Sequence, residues 1–329
     1  MLNNKLIIEF EKLAKQKRYT MDKTKDKEEK LKLSYGLQSI NRVLKIIREF
    51  PTEIKSSTDL KNIKYVGAHT LKRIDEILNS GKLEEINEDV ISDKYLDYIN
   101  DLGRVYGIGD SLANKLYAEH GIKNVAQLKK LSDEGKIKLP DVVLTGLKYF
   151  GKSKENIPRD EMENIDIYLH DVITETDNDL FGVMCGSYRR NYKTNKTSND
   201  IDLILVHKSD DNKYLHKFVE KLIEKKFIVA SLTASDVKTK YMGLCKLKKN
   251  PIRRIDIRFV PMKSYYFASL YFTGPRDFNK KMRMTAINMN YKLNEYGLFD
   301  KNNKSFDAKS EKEIFDKLNM EYVDPTERA

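Results

Sequence analysis

Apolar residues recur at helical spacing over the first fifty positions: Leu6, Ile7, Phe10 and Leu13, then Leu37, Ile40, Val43, Leu44 and Ile47, stopping before Pro51. The intervening Lys15 to Lys32, dense in both charges, reads as a solvated loop or helix face. Residues 58 to 90 add two short helices, Leu71 to Leu78 and one from Lys82 onward, making a four-helix unit of about 90 residues. Residues 102 to 119 predict a helix, a turn through Gly107-Ile108-Gly109, and a second helix. From residue 181 the period shortens to that of strands: Phe181 to Cys185, Ile201 to Val206, Lys240 to Lys246 and Arg254 to Val260. Helices Met162 to Ile173 and Leu215 to Lys226 are interspersed, which predicts a mixed sheet with helices packed on it. Near the carboxyl end, Tyr271 to Gly274 predicts a turn leading into a helix that carries Asn279 and Arg283 four apart on one face.

At 329 residues the chain has room for two or three domains. Lys and Arg number 61 against 50 Asp and Glu, a net charge of +11 that favours a polyanionic partner. Residues 238 to 258 concentrate it, with eight Lys or Arg and the single acid Asp256. Two cysteines, Cys185 and Cys245, support neither a disulfide framework nor a structural zinc site. With no apolar run of membrane-spanning length and no signal-peptide core, a soluble protein of a reducing, intracellular compartment is expected.

Candidate chemistry centres on Gly186-Ser187-Tyr188-Arg189-Arg190 and on Asn199-Asp200-Ile201-Asp202, which leads into the apolar strand. Asp200 and Asp202 are two apart at a strand end and therefore share a face. Carboxylates so close repel, which raises a pKa or calls for a cation, and hard oxygen ligands suit Mg²⁺. Alternation in Arg254 to Val260 puts Arg254, Asp256 and Arg258 together on one face. Three carboxylates on adjacent strands can hold two metal ions for in-line phosphoryl displacement, and a Gly-Ser turn with two arginines can hold a triphosphate. The Gly-x-Gly turn at 107 to 109 sets backbone N–H groups at a helix start, where a phosphate binds without base readout. Lys61 to Ile77, with Tyr65-Val66-Gly67 at its turn, is a weaker copy.

From about Leu6 to Arg328 the chain resembles the X-family DNA polymerases of the small polymerase beta type. The resemblance is carried in order by Val105 to Ile122, Gly146 to Gly151, Ile157-Pro158-Arg159, Cys185 to Arg190, Asp200 to Asp202, Arg253 to Arg258, Tyr271 to Gly274, Phe278-Asn279-Lys280, Met282-Arg283 and Asn294-Glu295-Tyr296. It implies an α+β multidomain protein: a helical eight-kilodalton-type domain at 1–92, a helix-hairpin-helix DNA-binding domain at 93–155, a nucleotidyltransferase palm with a mixed sheet at 156–262, and a small α+β nucleotide-selecting domain at 263–329. Asp200 and Asp202 would ligate two Mg²⁺ ions, with Mn²⁺ as a substitute, and Asp256 the catalytic one while helping to activate the primer 3′ hydroxyl. Ser187 and Arg190 would contact the triphosphate. Tyr271, Phe272, Gly274 and Asn279 would line the rest of the nucleotide site, and Asn279 with Arg283 would monitor the minor groove. Gly107, Gly109, Lys240, Arg254, Lys280, Arg283 and Tyr296 are the implied DNA contacts. Arg258 is implied as a gate that pairs with Asp202 in the open state. The carbonyls of Gly103, Val105 and Ile108 would hold K⁺ or Na⁺.

The implied function is template-directed filling of gapped or nicked double-stranded DNA from dNTPs in base excision repair, by a monomer, nuclear if the source is eukaryotic. A template-independent transferase and a non-catalytic gap-binding scaffold are the rival readings. Departures from the pattern cluster in the amino-terminal domain. Its Schiff-base lysine falls on Arg73, which cannot act as an amine nucleophile, and Lys72 beside it is turned about 100° around a helix. Tyr35, Gly36, His69 and Glu85 also replace family residues, so a weak or absent 5′-deoxyribose-phosphate lyase is expected. Asn156, Asn199 and Arg276 depart around the nucleotide site, where Lys193 and Lys196 could compensate.

Overall fold

Described in the computed structural model are residues 3–50, 52–87, 93–191, 196–233 and 238–328, residues 93, 94 and 96 by their backbone only. They divide into two compact units, 1–147 and 148–329.

The first unit is helical. Helices α1 (Asn4–Lys23) and α2 (Lys27–Glu49) form a hairpin around Leu6, Phe10, Leu13, Ile40, Val43 and Ile47, all buried. The charged stretch between the apolar runs is therefore mostly helix. Its break is only Thr24 to Asp26, and the Asp26 side chain caps α2 by accepting the Glu29 N–H at 2.7 Å. After a 3₁₀ turn at Ser57–Leu60, α3 (Ala68–Ser80) closes the same core through Ile74 and Ile77.

The helix expected from Lys82 is absent over the described residues to 87, which are turns and bends. Gly81 ends α3 in a left-handed conformation (φ 82°), and carboxylates then take the next N–H groups: Glu9 that of Leu83 at 3.0 Å, and Glu76 that of Glu84 at 2.6 Å. Backbone donors satisfied by side chains from α1 and α3 have no need of another helix. Residues 88 to 92 lie outside the described residues. Helices α4 (Asp93–Gly103), α5 (Asp110–His120), α6 (Val125–Asp133) and α7 (Asp141–Tyr149) follow, α7 running across the junction of the units. A tyrosine cluster joins α1 to α4 and α5: Tyr95 lies 5.7 Å from Tyr19 and 5.2 Å from Tyr117, in edge-on geometry.

The second unit holds α8 (Arg159–Thr176), β1 (Leu180–Met184), α9 (Gly186–Arg190), β2 (Ile201–His207), α10 (Lys213–Glu224), β3 (Ile228–Ser231), β4 (Lys240–Cys245) and β5 (Arg253–Phe259). Its sheet has the order β1-β2-β5-β4-β3, parallel only between β2 and β5. Ile201, Leu203 and Leu205 of β2 and Ile255, Ile257 and Phe259 of β5 pack with α8 and α10 into one core. On the opposite face Ile204 and Val206 are covered together with Ala268 of α11 (Tyr265–Thr273). A parallel strand pair covered on both faces reads as a continuous apolar run. Cover on the second face stops short of Asp202, which is why a carboxylate can stand there.

Beyond α11 come α12 (Arg276–Asn288), a three-stranded sheet of β6 (Lys292–Asn294), β7 (Gly297–Phe299) and β8 (Ser305–Phe306), and α13 (Glu311–Lys317). The turn expected at Tyr271 to Gly274 is narrower than its residues suggested. Tyr271, Phe272 and Thr273 form the last turn of α11, and the chain leaves the helix only at Gly274, whose φ of 66° and ψ of −149° suit glycine alone. No described helix is long and apolar enough to cross a membrane.

Candidate active site

Parallel pairing of β2 with β5 sets Asp202 directly opposite Asp256. Neighbouring strands lie about 4.8 Å apart, so the two carboxylates are forced together. Asp200, one residue ahead of β2, joins them. Burial, and then the charges of Asp200 and Asp256, push the Asp202 carboxyl up to about 7. Burial and the Asp256 charge also raise Asp200.

The Asp202 carboxylate has room only because residue 186 is glycine. A Cβ there would lie 2.2 Å from Asp202 Oδ2, and the backbone has a left-handed φ of 58°. The Cys185 N–H donates to the Asp202 carbonyl at 2.8 Å and fixes the start of α9 against β2. Ser187 and Arg190 on α9 line a cleft of about 370 Å³ together with Asp200, Asp202, Tyr271, Phe272, Gly274, Asn279 and Arg283. Every residue expected to hold the nucleotide therefore meets at one concavity.

Its walls are braced by their own hydrogen bonds. Arg190 donates to the Thr273 carbonyl, tying α9 to the end of α11, and burial lowers its pKa from the ordinary guanidinium value. Asn279 donates to the Tyr271 carbonyl at 2.6 Å, and the Arg283 guanidinium lies 6.0 Å from the Tyr271 ring centroid. Tyr271 and Phe272 meet edge-on at 5.1 Å and are both half-buried, so neither is a plain core aromatic.

Arg254 and Asp256 share a face of β5 and form a bidentate pair at 3.2 and 3.0 Å. Among the described residues no three His, Cys, Asp or Glu side chains form a ready-made metal cluster, and Asp256 is paired with this arginine. Arg258 does not pair with Asp202 as expected of the gate. Its guanidinium carbon lies 5.6 Å from the Phe272 ring centroid, while the Asp202 carboxylate occupies the space above Gly186. Asp202, Asp256, Arg258 and Phe272 nonetheless line one small cavity of about 120 Å³.

Of the expected DNA contacts in this unit, Lys240 stands opposite Arg258 across β4 and β5, Lys280 faces Asp277 at 3.5 Å, and Tyr296 is exposed in the β6–β7 connection. Lys196 is exposed; Lys193 lies outside the described residues. Asn156 has a left-handed φ of 59°, a conformation asparagine tolerates better than most side chains.

In the first unit, Gly103 ends α4 and Arg104 to Gly109 form the connection to α5. Gly107 has φ 88° with no room for a Cβ beside Val142, and Gly109 caps α5. Val105 accepts the Ile108 N–H at 3.0 Å through its carbonyl. At the position where the resemblance puts the family's lysine, Arg73 makes a two-point ion pair with Glu85, its Nη2 at 2.9 Å, so two of the departures neutralise each other. Lys72 is exposed.

Two clusters of ion pairs around the buried Glu161 and Glu311 left no clear mark in the sequence. Arg253 lies on Glu161 at 2.9 and 2.6 Å, joining β5 to α8. Arg189 donates to Ser269, Thr273 and Glu311, while Arg328 takes the other Glu311 oxygen at 2.6 Å. A charged residue placed inside an otherwise apolar helix period, as Glu161 is beside Met162, was the one available signal.

Residues 156–262 match the DNA polymerase beta palm family and residues 268–329 the DNA polymerase beta thumb family. DNA polymerase lambda of Arabidopsis thaliana is 31% identical over 313 residues, covering 88% of this chain and 57% of that protein. A DNA nucleotidylexotransferase of Xenopus laevis is 23% identical over 325 residues, covering 87% of this chain and 62% of its own length. The chain thus spans little more than half of these relatives. The crystal structure of Leishmania infantum polymerase beta, a ternary P/T complex, superposes with a TM-score of 0.64 at 32% identity, covering 72% of this chain and 99% of that one. With carboxylates, cleft and fold in agreement with these likenesses, the chain belongs to the X family of DNA polymerases, of the polymerase beta and lambda type.

Proposed function

We propose that the protein is a template-directed DNA polymerase that fills short gaps in duplex DNA during base excision repair. The observation that carries this reading is the facing of Asp202 and Asp256 across two parallel strands, with Asp200 beside them at the mouth of a cleft of triphosphate size. Burial, and then the charges of the neighbouring carboxylates, raise Asp200 and Asp202; a divalent cation relieves that repulsion, so this all-oxygen donor set fits two Mg²⁺ or Mn²⁺ ions. Such ions, when bound, neutralise the phosphates and favour a deprotonated 3′ hydroxyl.

The chain's own groups do the rest. The primer 3′ oxygen attacks the α-phosphorus, the bond to pyrophosphate breaks, and the hydroxyl proton leaves with help from Asp256. Ser187 and Arg190 hold the β and γ phosphates, Arg190 pre-positioned by Thr273. Tyr271 and Phe272 flank the sugar above Gly274, and Asn279 and Arg283 probe the nascent pair. Lys240, Arg254, Lys280 and Tyr296 line the DNA path, and Arg258 against Phe272 is the gating group. Gly107 and Gly109 present N–H groups to a primer phosphate, next to a K⁺ or Na⁺ on the carbonyls of Gly103, Val105 and Ile108. The division at 92, 155 and 262 is the domain plan we favour.

Asp256→Ala is expected to lower Mg²⁺-dependent dNTP incorporation on a gapped duplex at least a thousandfold while DNA affinity changes little; normal extension by the variant would remove the assignment. The likeness to a nucleotidylexotransferase supports a second reading, template-independent addition. Extension of single-stranded primer as fast as gapped duplex would favour it.

The lyase is proposed to be weak or absent, because Arg73 is committed to Glu85 and keeps its proton. Borohydride is expected to trap little protein on an incised abasic site. Efficient trapping that disappears in Lys72→Ala would reverse this.

A further inference from the structure

Three consecutive side chains of α9 are fastened to three different elements. Arg189 is held by Glu311 of α13, and Arg190 by the Thr273 carbonyl at the end of α11. Tyr188, between Ser187 and Arg189, is fastened to α8 instead. Its ring is half-buried against the core that α8 and α10 form with the sheet, and its hydroxyl donates to Asp166 Oδ2 at 3.1 Å. Arg159, at the start of α8, lies on the ring with its guanidinium carbon 4.0 Å from the centroid. The same guanidinium donates through Nη1 to the Tyr188 carbonyl at 2.8 Å, while its Nε is fixed by Glu163 at 2.9 Å. Residue 188 is thus held by ring face, hydroxyl and backbone from one helix.

A helix of five residues gains almost nothing from its own hydrogen bonds, so these side chains decide where α9 sits. Core packing alone would be served by phenylalanine. What the hydroxyl adds is one directional bond to a carboxylate, stronger than a bond between neutral groups. Burial, and then the Asp166 charge, push the phenol up to about 12, so at neutral pH it remains a donor.

We propose that Tyr188 is a positioning residue for the triphosphate: its bond to Asp166 and the Arg159 guanidinium on its ring fix the orientation of α9, so that Ser187 and Arg190 meet the β and γ phosphates without rearrangement. The role rests on the polymerase reading of the cleft. Tyr188 itself touches neither base nor sugar in this arrangement; it acts through the residues on either side, and a small misplacement of such groups is costly.

Tyr188→Phe keeps the ring, its packing and the Arg159 contact and removes only the hydroxyl. On gapped duplex with Mg²⁺ we expect the KM for dNTP to rise about fivefold with kcat within about twofold, by the same factor for all four nucleotides, and a thermal midpoint within about 2 °C of the parent. Asp166→Ala should match it. Asp166→Asn, whose side-chain carbonyl still accepts the hydroxyl, should stay within about twofold of the parent, and the double variant Tyr188→Phe with Asp166→Ala should be no worse than either single change. Parental KM in Tyr188→Phe, a loss of kcat as large as the rise in KM, a rise confined to one nucleotide, or a double variant whose rise is the product of the two overturns the proposal. Binding of inorganic triphosphate with Mg²⁺ to the full chain, followed by titration calorimetry, reads the same turn without turnover. It should weaken about fivefold in Tyr188→Phe and stay within about twofold in Asp166→Asn. Equal affinity in the parent and Tyr188→Phe, or no binding by the parent, overturns the proposal. Failure of the polymerase reading shows differently, as absence of incorporation by the unaltered protein on gapped duplex with triphosphate binding intact.

Discussion

Asp202→Asn is expected to abolish Mg²⁺-dependent nucleotide incorporation and, in metal-free buffer at pH 8, to make the protein more stable. Burial and the neighbouring charges of Asp200 and Asp256 raise this carboxyl from 3.8 to about 7. The folded protein thus holds a proton that the unfolded chain has released, and stability contributed at low pH is lost as pH rises through that window. A rise of this size corresponds to about 4 kcal/mol at pH 8. Asparagine keeps the shape without the charge, so thermal or urea unfolding in EDTA should show a gain of about 2–4 kcal/mol that shrinks towards pH 4. Mg²⁺ should stabilise the parent protein and leave the variant almost unchanged. An unchanged or lower stability of the metal-free variant at pH 8 would mean that neither burial nor like charge strains Asp202.

Glu311→Ala should destabilise the second unit by about 3–5 kcal/mol, among the largest costs of any single change, because it strands two arginines. Glu311 is 7% exposed and accepts from Arg189, Arg328 and, at 2.7 Å, the Ser269 hydroxyl. Burial by itself raises its pKa, but Arg189 and Arg328 outweigh it and hold the carboxyl below its usual value. Its contribution is therefore present above the unfolded value of 4.5 and disappears as pH falls below that value. Arg189 stands between Ser187 and Arg190 in sequence, so releasing it loosens the turn proposed to hold the triphosphate. Urea unfolding should show the stability loss, and steady-state incorporation a raised KM for dNTP; Glu311→Gln should recover part of both. A Glu311→Ala protein as stable as its parent would show that the buried cluster contributes nothing.

The strands nearest the chemistry were legible because their code is local. The run from Leu203 to Val206 is apolar at every position since both faces of β2 are covered there, and the alternation of Arg254, Asp256 and Arg258 with Ile255, Ile257 and Phe259 matches the burial of β5. Asp-x-Asp at the head of such a strand, with a third acid in a second strand, was enough to suggest a metal and phosphate site. Strand β3, only four residues long and close behind α10, has too short a pattern to stand out. The helix expected from Lys82 failed because Glu9, 74 residues away, supplies what a helix would have supplied.

Residue types and spacing along the chain were thus sufficient for the three carboxylates, the Gly-Ser turn and the family, since each depends on neighbours within a few positions. Long-range pairing was needed to bring Asp202 opposite Asp256, to seat the Asp202 carboxylate over Gly186, and to join Arg189 to Glu311 across 122 positions. The same is true of Arg73 on Glu85. Side-chain charges separated by many residues leave no periodic trace, and only the register of the sheet and the packing of the helices determines which of them meet.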